Sequence, residues 1–257
     1  MVSPTRLQLL GPIQVRQDGR IVRGFESRKA LALLGYLAAR DRPVARAHLV
    51  DLLWPDLTEA RGRANLSGAL HNLTTLLPGR LAADRHVIAF QSPPADWVDV
   101  AAFEVLVAKG TPNALAAAAE LYQDDFMTDM YVHHCPEFDI WLTRQRADWR
   151  ARMAEVLGAL IRHHAGRDDH TASIGFARRL LALEPWLEDA HRQLMVLLAS
   201  SGQRAAALAQ FKACQRDLMA ELAVEPAPET VALYRQLLAG GAAAPRPPWL
   251  VGTQDGA

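Results

Sequence analysis

No run of apolar residues in the chain reaches the roughly 18 that a membrane span needs, and Met1-Val2-Ser3-Pro4 lacks a basic flank leading into an apolar stretch. These two absences set the expectation of a cytoplasmic chain with no membrane partner. Cysteine is scarce: Cys135 and Cys214 are far apart and form no CxxC pair. That excludes a disulfide framework and a Cys-rich zinc site, and both thiols are expected to be reduced and partly buried. The only lysines are Lys29, Lys109 and Lys212, none behind a glycine-rich loop, and no GxSxG, HExxH or GxxxxGK[ST] occurs. Neither an enzyme nor a bound cofactor is therefore expected.

A net charge is also missing, with 28 Lys/Arg against 28 Asp/Glu. The balance hides an asymmetry. Residues 1–100 hold 13 basic and 9 acidic side chains, whereas residues 101–257 hold 15 and 19. A basic first part and an acidic second part point to the first as the place where an anionic polymer would dock.

What is present is regular patterning. Leu7-Gln8-Leu9-Leu10 and Ile13-Gln14-Val15 read as strands, and Asp18-Gly19 before Ile21-Val22 is a hairpin turn. Ser27 opens a first helix with Leu31, Leu34 and Leu37 at helical spacing, up to a break at Asp41-Arg42-Pro43. A second helix spans 46–53 and stops at Trp54-Pro55. A third, capped by Thr58, spans 58–77 with Leu66, Ala69, Leu70, Leu73, Leu76 and Leu77 on one stripe. Leu81-Ala82-Ala83 and Val87-Ile88-Ala89-Phe90 around Asp84-Arg85-His86 make a second hairpin.

Sheet, three helices and a hairpin are the plan of a winged helix, in which the third helix enters the major groove. Opposite its leucine stripe, that helix presents Arg61, Ala64, Ser67, Gly68, His71, Asn72 and Thr75, with Arg63 and Thr74 at the margin. Ser67, His71, Asn72 and Thr75 are candidates for base edges. Arg61, Arg63, Arg28, Lys29, Arg46 and Arg85 are candidates for phosphates. Gly68 costs about 1 kcal/mol in a helix interior. It either allows close approach to DNA or marks a helix no longer kept for binding.

From about Asn113 the strand signals vanish, and helices follow to about Ala239 with breaks near Pro136, Gly166, Pro185, Gly202 and Pro226. A self-match at 34 residues pairs Leu160, Asp168, Ser173, Ala177 and Pro185 with Leu194, Gly202, Ala207, Phe211 and Met219, the period of a tetratricopeptide helix pair. The expected fold is therefore an α+β winged helix followed by an all-α, tetratricopeptide-like repeat domain. Its domains are 1–100 and 101–240, with 241–257 a disordered tail or a linker.

The whole resembles the SARP-type regulators, which join an OmpR/PhoB-like winged helix to a bacterial transcriptional activator domain. The resemblance rests on Ser27-Arg28-Lys29-Ala30-Leu31, Leu53-Trp54-Pro55-Asp56 and Ala64-Asn65-Leu66 in the first part. In the second it rests on Pro136-Glu137-Phe138, Trp141-Leu142, Leu180-Leu181-Ala182-Leu183-Glu184-Pro185 and Val224-Glu225-Pro226. It implies a transcription activator that binds double-stranded DNA at promoter repeats, contacts RNA polymerase and forms a homodimer on DNA. The chain departs from relatives where they commonly carry arginines, at Ser67, Gly68, Asn72, Thr74 and Thr75. The competing expectation is a protein-interaction module, part of a larger regulator, whose winged helix has lost DNA binding.

Other groups are assigned bland roles. His133-His134-Cys135 lacks a fourth ligand at zinc-like spacing, so no metal is expected. His163, His164 and His170 suit a helix C-terminus. Trp141, Trp149 and Trp186 are expected in the core, and Asp124-Asp125 and Asp168-Asp169 in solvated turns.

Overall fold

The computed structural model describes residues 4–40 and 42–240. Asp41 of the expected break and the whole of 241–257, read from sequence as tail or linker, lie outside them. The chain forms two compact units. Among the described residues, one holds those up to Lys109 together with Glu120–Arg150, and the other holds Gly110–Ala119 and residues 151–240. These bounds differ from the sequence domains 1–100 and 101–240.

In the first unit, β1 (Thr5–Gln8), β2 (Gln14–Gln17) and β3 (Arg20–Ile21) form an antiparallel meander. A strand missed in the sequence, β7 (Trp97–Val98), pairs with β1 in parallel to give the order β3-β2-β1-β7. Then come α1 (Arg28–Ala38), β4 (Val44–Ala45), α2 (Arg46–Leu53), α3 (Glu59–Leu76), β5 (Leu81–Ala83) and β6 (Val87–Phe90). β4, β6 and β5 make a second antiparallel sheet, so the wing hairpin is anchored by a strand entering α2.

The α1 start behaves as its sequence suggests, with the Ser27 hydroxyl accepting from the Ala30 N–H at 3.1 Å. Thr58 does not: it holds the N-cap position of α3 in extended backbone, but its side chain makes no capping bond. Leu33, Leu34, Leu37, Leu49, Leu53, Leu66, Leu73 and Ile88 form the buried core. At Gly62 α2 and α3 pack too closely for a side chain, since a Cβ there would sit 2.4 Å from Val50 Cγ1.

Residues 120–150 join this unit through backbone and aromatic contacts that no local pattern announces. Met127 N–H donates to the Leu9 carbonyl at 2.7 Å, and Phe126 is fully buried beside Leu10 and Gly11. The Arg146 guanidinium collects the carbonyls of Phe126 and Met127. Trp141 packs edge-on against Tyr36 and Phe126. Asp125, expected in a solvated turn, instead pairs with Arg150 and accepts from the Tyr122 hydroxyl.

A second join is electrostatic. Asp99, at the start of α4 (Asp99–Lys109), is fully buried, and one carboxylate oxygen accepts from both Leu9 and Leu10 N–H at 2.7 Å. Burial pushes it up to about 6 against the pull of these backbone bonds.

The second unit is helical. It contains most of α5 (Pro112–Leu121), the later part of α6 (Pro136–Ala165), α7 (His170–Leu183), α8 (Glu188–Ser200), α9 (Arg204–Leu222) and α10 (Pro228–Leu238). The 34-residue self-match has a structural meaning for four of its five pairs. Leu160 and Leu194, Ser173 and Ala207, and Ala177 and Phe211 are all buried. Asp168 and Gly202 occupy equivalent turns with left-handed backbone. The fifth pair fails, because Pro185 follows the end of α7 whereas Met219 lies inside the longer α9, half exposed.

Candidate nucleic-acid interface

The outward face of α3 carries Arg61, Arg63, Ala64, Ser67, Gly68, His71, Thr74 and Thr75, all exposed. The hydroxyls of Ser67, Thr74 and Thr75 donate back to carbonyls one turn earlier, at 2.8–3.0 Å. With their protons so committed, these hydroxyls can act toward a ligand only as acceptors, suited to the exocyclic amino groups of adenine and cytosine. At Gly68 an added Cβ would meet nothing within 4 Å. Packing inside the protein does not account for this glycine.

One flank of the face is built by Arg46. Its backbone N–H donates to His86 O at 2.8 Å, holding the start of α2 to the wing. Its guanidinium donates to Asp84 O in the wing turn at 3.3 Å and to Ser67 Oγ on α3 at 3.4 Å. Asp84 shapes that turn by accepting from the N–H groups of His86 and Val87, bonds that hold its carboxyl below the usual range. Arg85 stands exposed at the tip, its Nε donating to His86 Nε2 at 2.9 Å. Arg63 is exposed and pairs with Glu59 one turn earlier, a surface ion pair of small energetic weight.

Two sequence candidates are placed differently. Asn72 is buried at 8% exposure; its Nδ2 donates to Gly24 O at 3.1 Å and its Oδ1 accepts from Glu26 N–H at 3.2 Å. It ties the segment before α1 to α3 and does not face outward. The 100° step per residue misled here, because Asn72 lies at the edge of the polar face, where a neighbouring segment covers it. Arg28 is committed as well, donating to the carbonyls of Asp129 and Tyr131. Its partners lie about a hundred residues away in sequence.

On the side that Asn72 faces, Arg20 and Arg23 line an open cleft of about 690 Å³ with Asp18, Thr75 and Leu76. Both arginines are exposed, and both escaped the sequence reading because they lie outside the three-helix motif. Away from this region, no group of three or more His, Cys, Asp or Glu able to hold a metal ion occurs among the described residues. Cys135 is buried, its thiol donating to Leu53 O at 3.2 Å. Among those residues no helix is long and apolar enough to cross a membrane.

A winged helix whose wing is clamped to its third helix, followed along the chain by helical repeats, is the architecture of the SARP-type regulators. The bacterial transcriptional activator domain family matches residues 98–238, over half of the chain, and the chain belongs to that family. It is 24% identical to the transcriptional regulatory protein EmbR of Mycobacterium tuberculosis, over 90% of this chain and 62% of EmbR. It is 25% identical to MoaR1 of the same organism, over 91% and 79%, and 22% identical to the regulatory protein AfsR of Streptomyces coelicolor, over 91% and 24%. The chain thus spans about three fifths of EmbR's length. The structure of Mycobacterium tuberculosis EmbR in complex with a low affinity phosphopeptide has a similar fold, with a TM-score of 0.69 at 22% identity over 93% of this chain and 66% of that one.

Proposed function

We propose that the chain is a DNA-binding transcription activator. In this reading residues 1–100 bind promoter repeats through α3 and the wing, and the helical repeats of 101–240 contact RNA polymerase or other partners, with two copies acting together on DNA. The observation that carries it is Arg46, whose guanidinium joins Asp84 O of the wing turn to Ser67 Oγ of α3. That clamp makes helix and wing one continuous face, as simultaneous contact with a groove and a backbone requires. Gly68 supports it: a glycine that costs about 1 kcal/mol in a helix, with open space around it, suits an external surface approaching closely.

A shift assay with a labelled duplex from the protein's own upstream region, repeated across salt, tests the proposal. The expected result is a complex that weakens steeply with salt. Absence of any shift at low salt and micromolar protein overturns it. The second reading, an interaction module without DNA binding, is favoured by the commitment of Arg28 and Asn72 to the fold, which thins the polar face. Retention of RNA polymerase with no retention of DNA would select it.

A further inference from the structure

A helix in the major groove lies between two sugar–phosphate strands, so it needs cations on both sides. Arg46, Arg63 and the wing's Arg85 supply one of them; on the other, α3 itself offers only Arg61, in its first turn and about 120° around from Ser67. At 100° per residue, Arg63 and Ser67 mark that edge of α3, Thr75 stands about 80° around from Ser67, and Asn72 about 140°. The exposed face lies between these two edges.

The far edge is held by Asn72, which pins the Gly24 carbonyl and the Glu26 N–H against α3. The segment lies beside the end of α3: a Cβ on Gly24 would be in ordinary contact with Leu76 Cδ2, at 3.7 Å. The chain just before this pin carries Arg20 and Arg23, which share their cleft with Thr75 at the rim of the recognition face. Asp18 is the one carboxylate lining that cleft, leaving it a net positive charge.

We propose that Arg20 and Arg23, carried by β3 and the segment joining it to α1, form a second phosphate-binding flank of the interface, on the side of α3 opposite the wing. The proposal rests on the DNA-binding reading and adds to it a second strand contact. It also resolves the thinness of the basic face: on the side where α3 carries only Arg61, the strand edge beside the end of the helix adds two more cations.

The test is the salt dependence of duplex affinity for the full chain, with the upstream duplex and a random duplex of equal length as probes. Arg20→Gln and Arg23→Gln should each flatten the slope of log affinity against log salt by about 0.9. They should weaken both duplexes alike, because phosphate contacts carry no sequence information. Arg20→Lys and Arg23→Lys keep the charge and should retain most of the wild-type slope. An unchanged slope in both glutamine variants, while Arg63→Ala flattens it, overturns this flank and leaves the DNA-binding reading standing. A wild-type chain that binds neither duplex overturns both.

Discussion

Asp168 and Gly202, 34 residues apart, both adopt left-handed backbone, with φ of 58° and 79°. Each ends a helix and turns the chain into the next, α6 into α7 and α8 into α9. Left-handed backbone costs an ordinary side chain about 1 kcal/mol or more, glycine almost nothing and Asp an intermediate amount. Asp168→Gly should therefore be neutral or stabilising by up to about 1 kcal/mol, and Gly202→Val should cost about 1–2 kcal/mol. Urea midpoints of the two variants check this; equal losses in both would show that the turns are not equivalent.

Asp99 predicts a pH effect. Its folded value of about 6 exceeds the ordinary 3.8 because burial disfavours the carboxylate. The neutral form is thus favoured by folding. The stability contributed is full below about pH 4 and is lost as pH rises through about 6. Against Asp99→Asn, which does not titrate, the wild type should lose on the order of 2–3 kcal/mol across that window. Unfolding free energies at several pH values supply the comparison, and a gap that does not vary with pH contradicts the assignment.

Asn72→Ala strips partners from Gly24 O and Glu26 N–H and should destabilise the protein by about 1–3 kcal/mol. Base preference should not change, since the side chain faces inward. A changed preference with unchanged thermal stability would return Asn72 to the outward face.

Gly68→Ala separates stability from binding. With open space around the position, alanine should raise stability by up to about 1 kcal/mol while weakening duplex binding through loss of close approach. Tighter binding in the alanine variant would dissociate this glycine from DNA.

Phosphate and base contacts should respond differently on α3. Arg63→Ala should weaken all duplexes alike, whereas His71→Ala or Thr75→Ala should alter the ranking of operator variants. Competition shifts with permuted operators measure this. Equal losses on specific and random DNA for all three would remove base readout from this face.

Much of the architecture was legible because its signals are local. The ranges of α2, β5 and β6 follow from prolines, turn residues and apolar spacing, and the Ser27 cap follows from a single hydroxyl. The polar face of α3 followed from periodicity, and the helix break at Gly202 from its glycine. The failures share a cause. β7 is only Trp97–Val98, too short to pattern, and exists because β1 offers it an edge. Asp125 and Asn72 looked like surface residues because Arg150, Gly24 and Glu26, which hold them, are remote in sequence, and Asp99 drew no notice because its partners Leu9 and Leu10 are about ninety residues away.

The sequence alone determined the winged-helix order, the helical repeats, the absence of catalytic motifs and the family. All of these depend on spacing within a few turns of chain or on a period repeated along it. Only the tertiary structure decided which polar groups are available. It buried Asn72, bonded the exposed Arg28 to carbonyls of a distant segment, gave Arg46 to the joint between wing and helix, and set Arg20 and Arg23 beside α3. A side chain's exposure and partners depend on what folds over it, and that is a property of distant residues brought together.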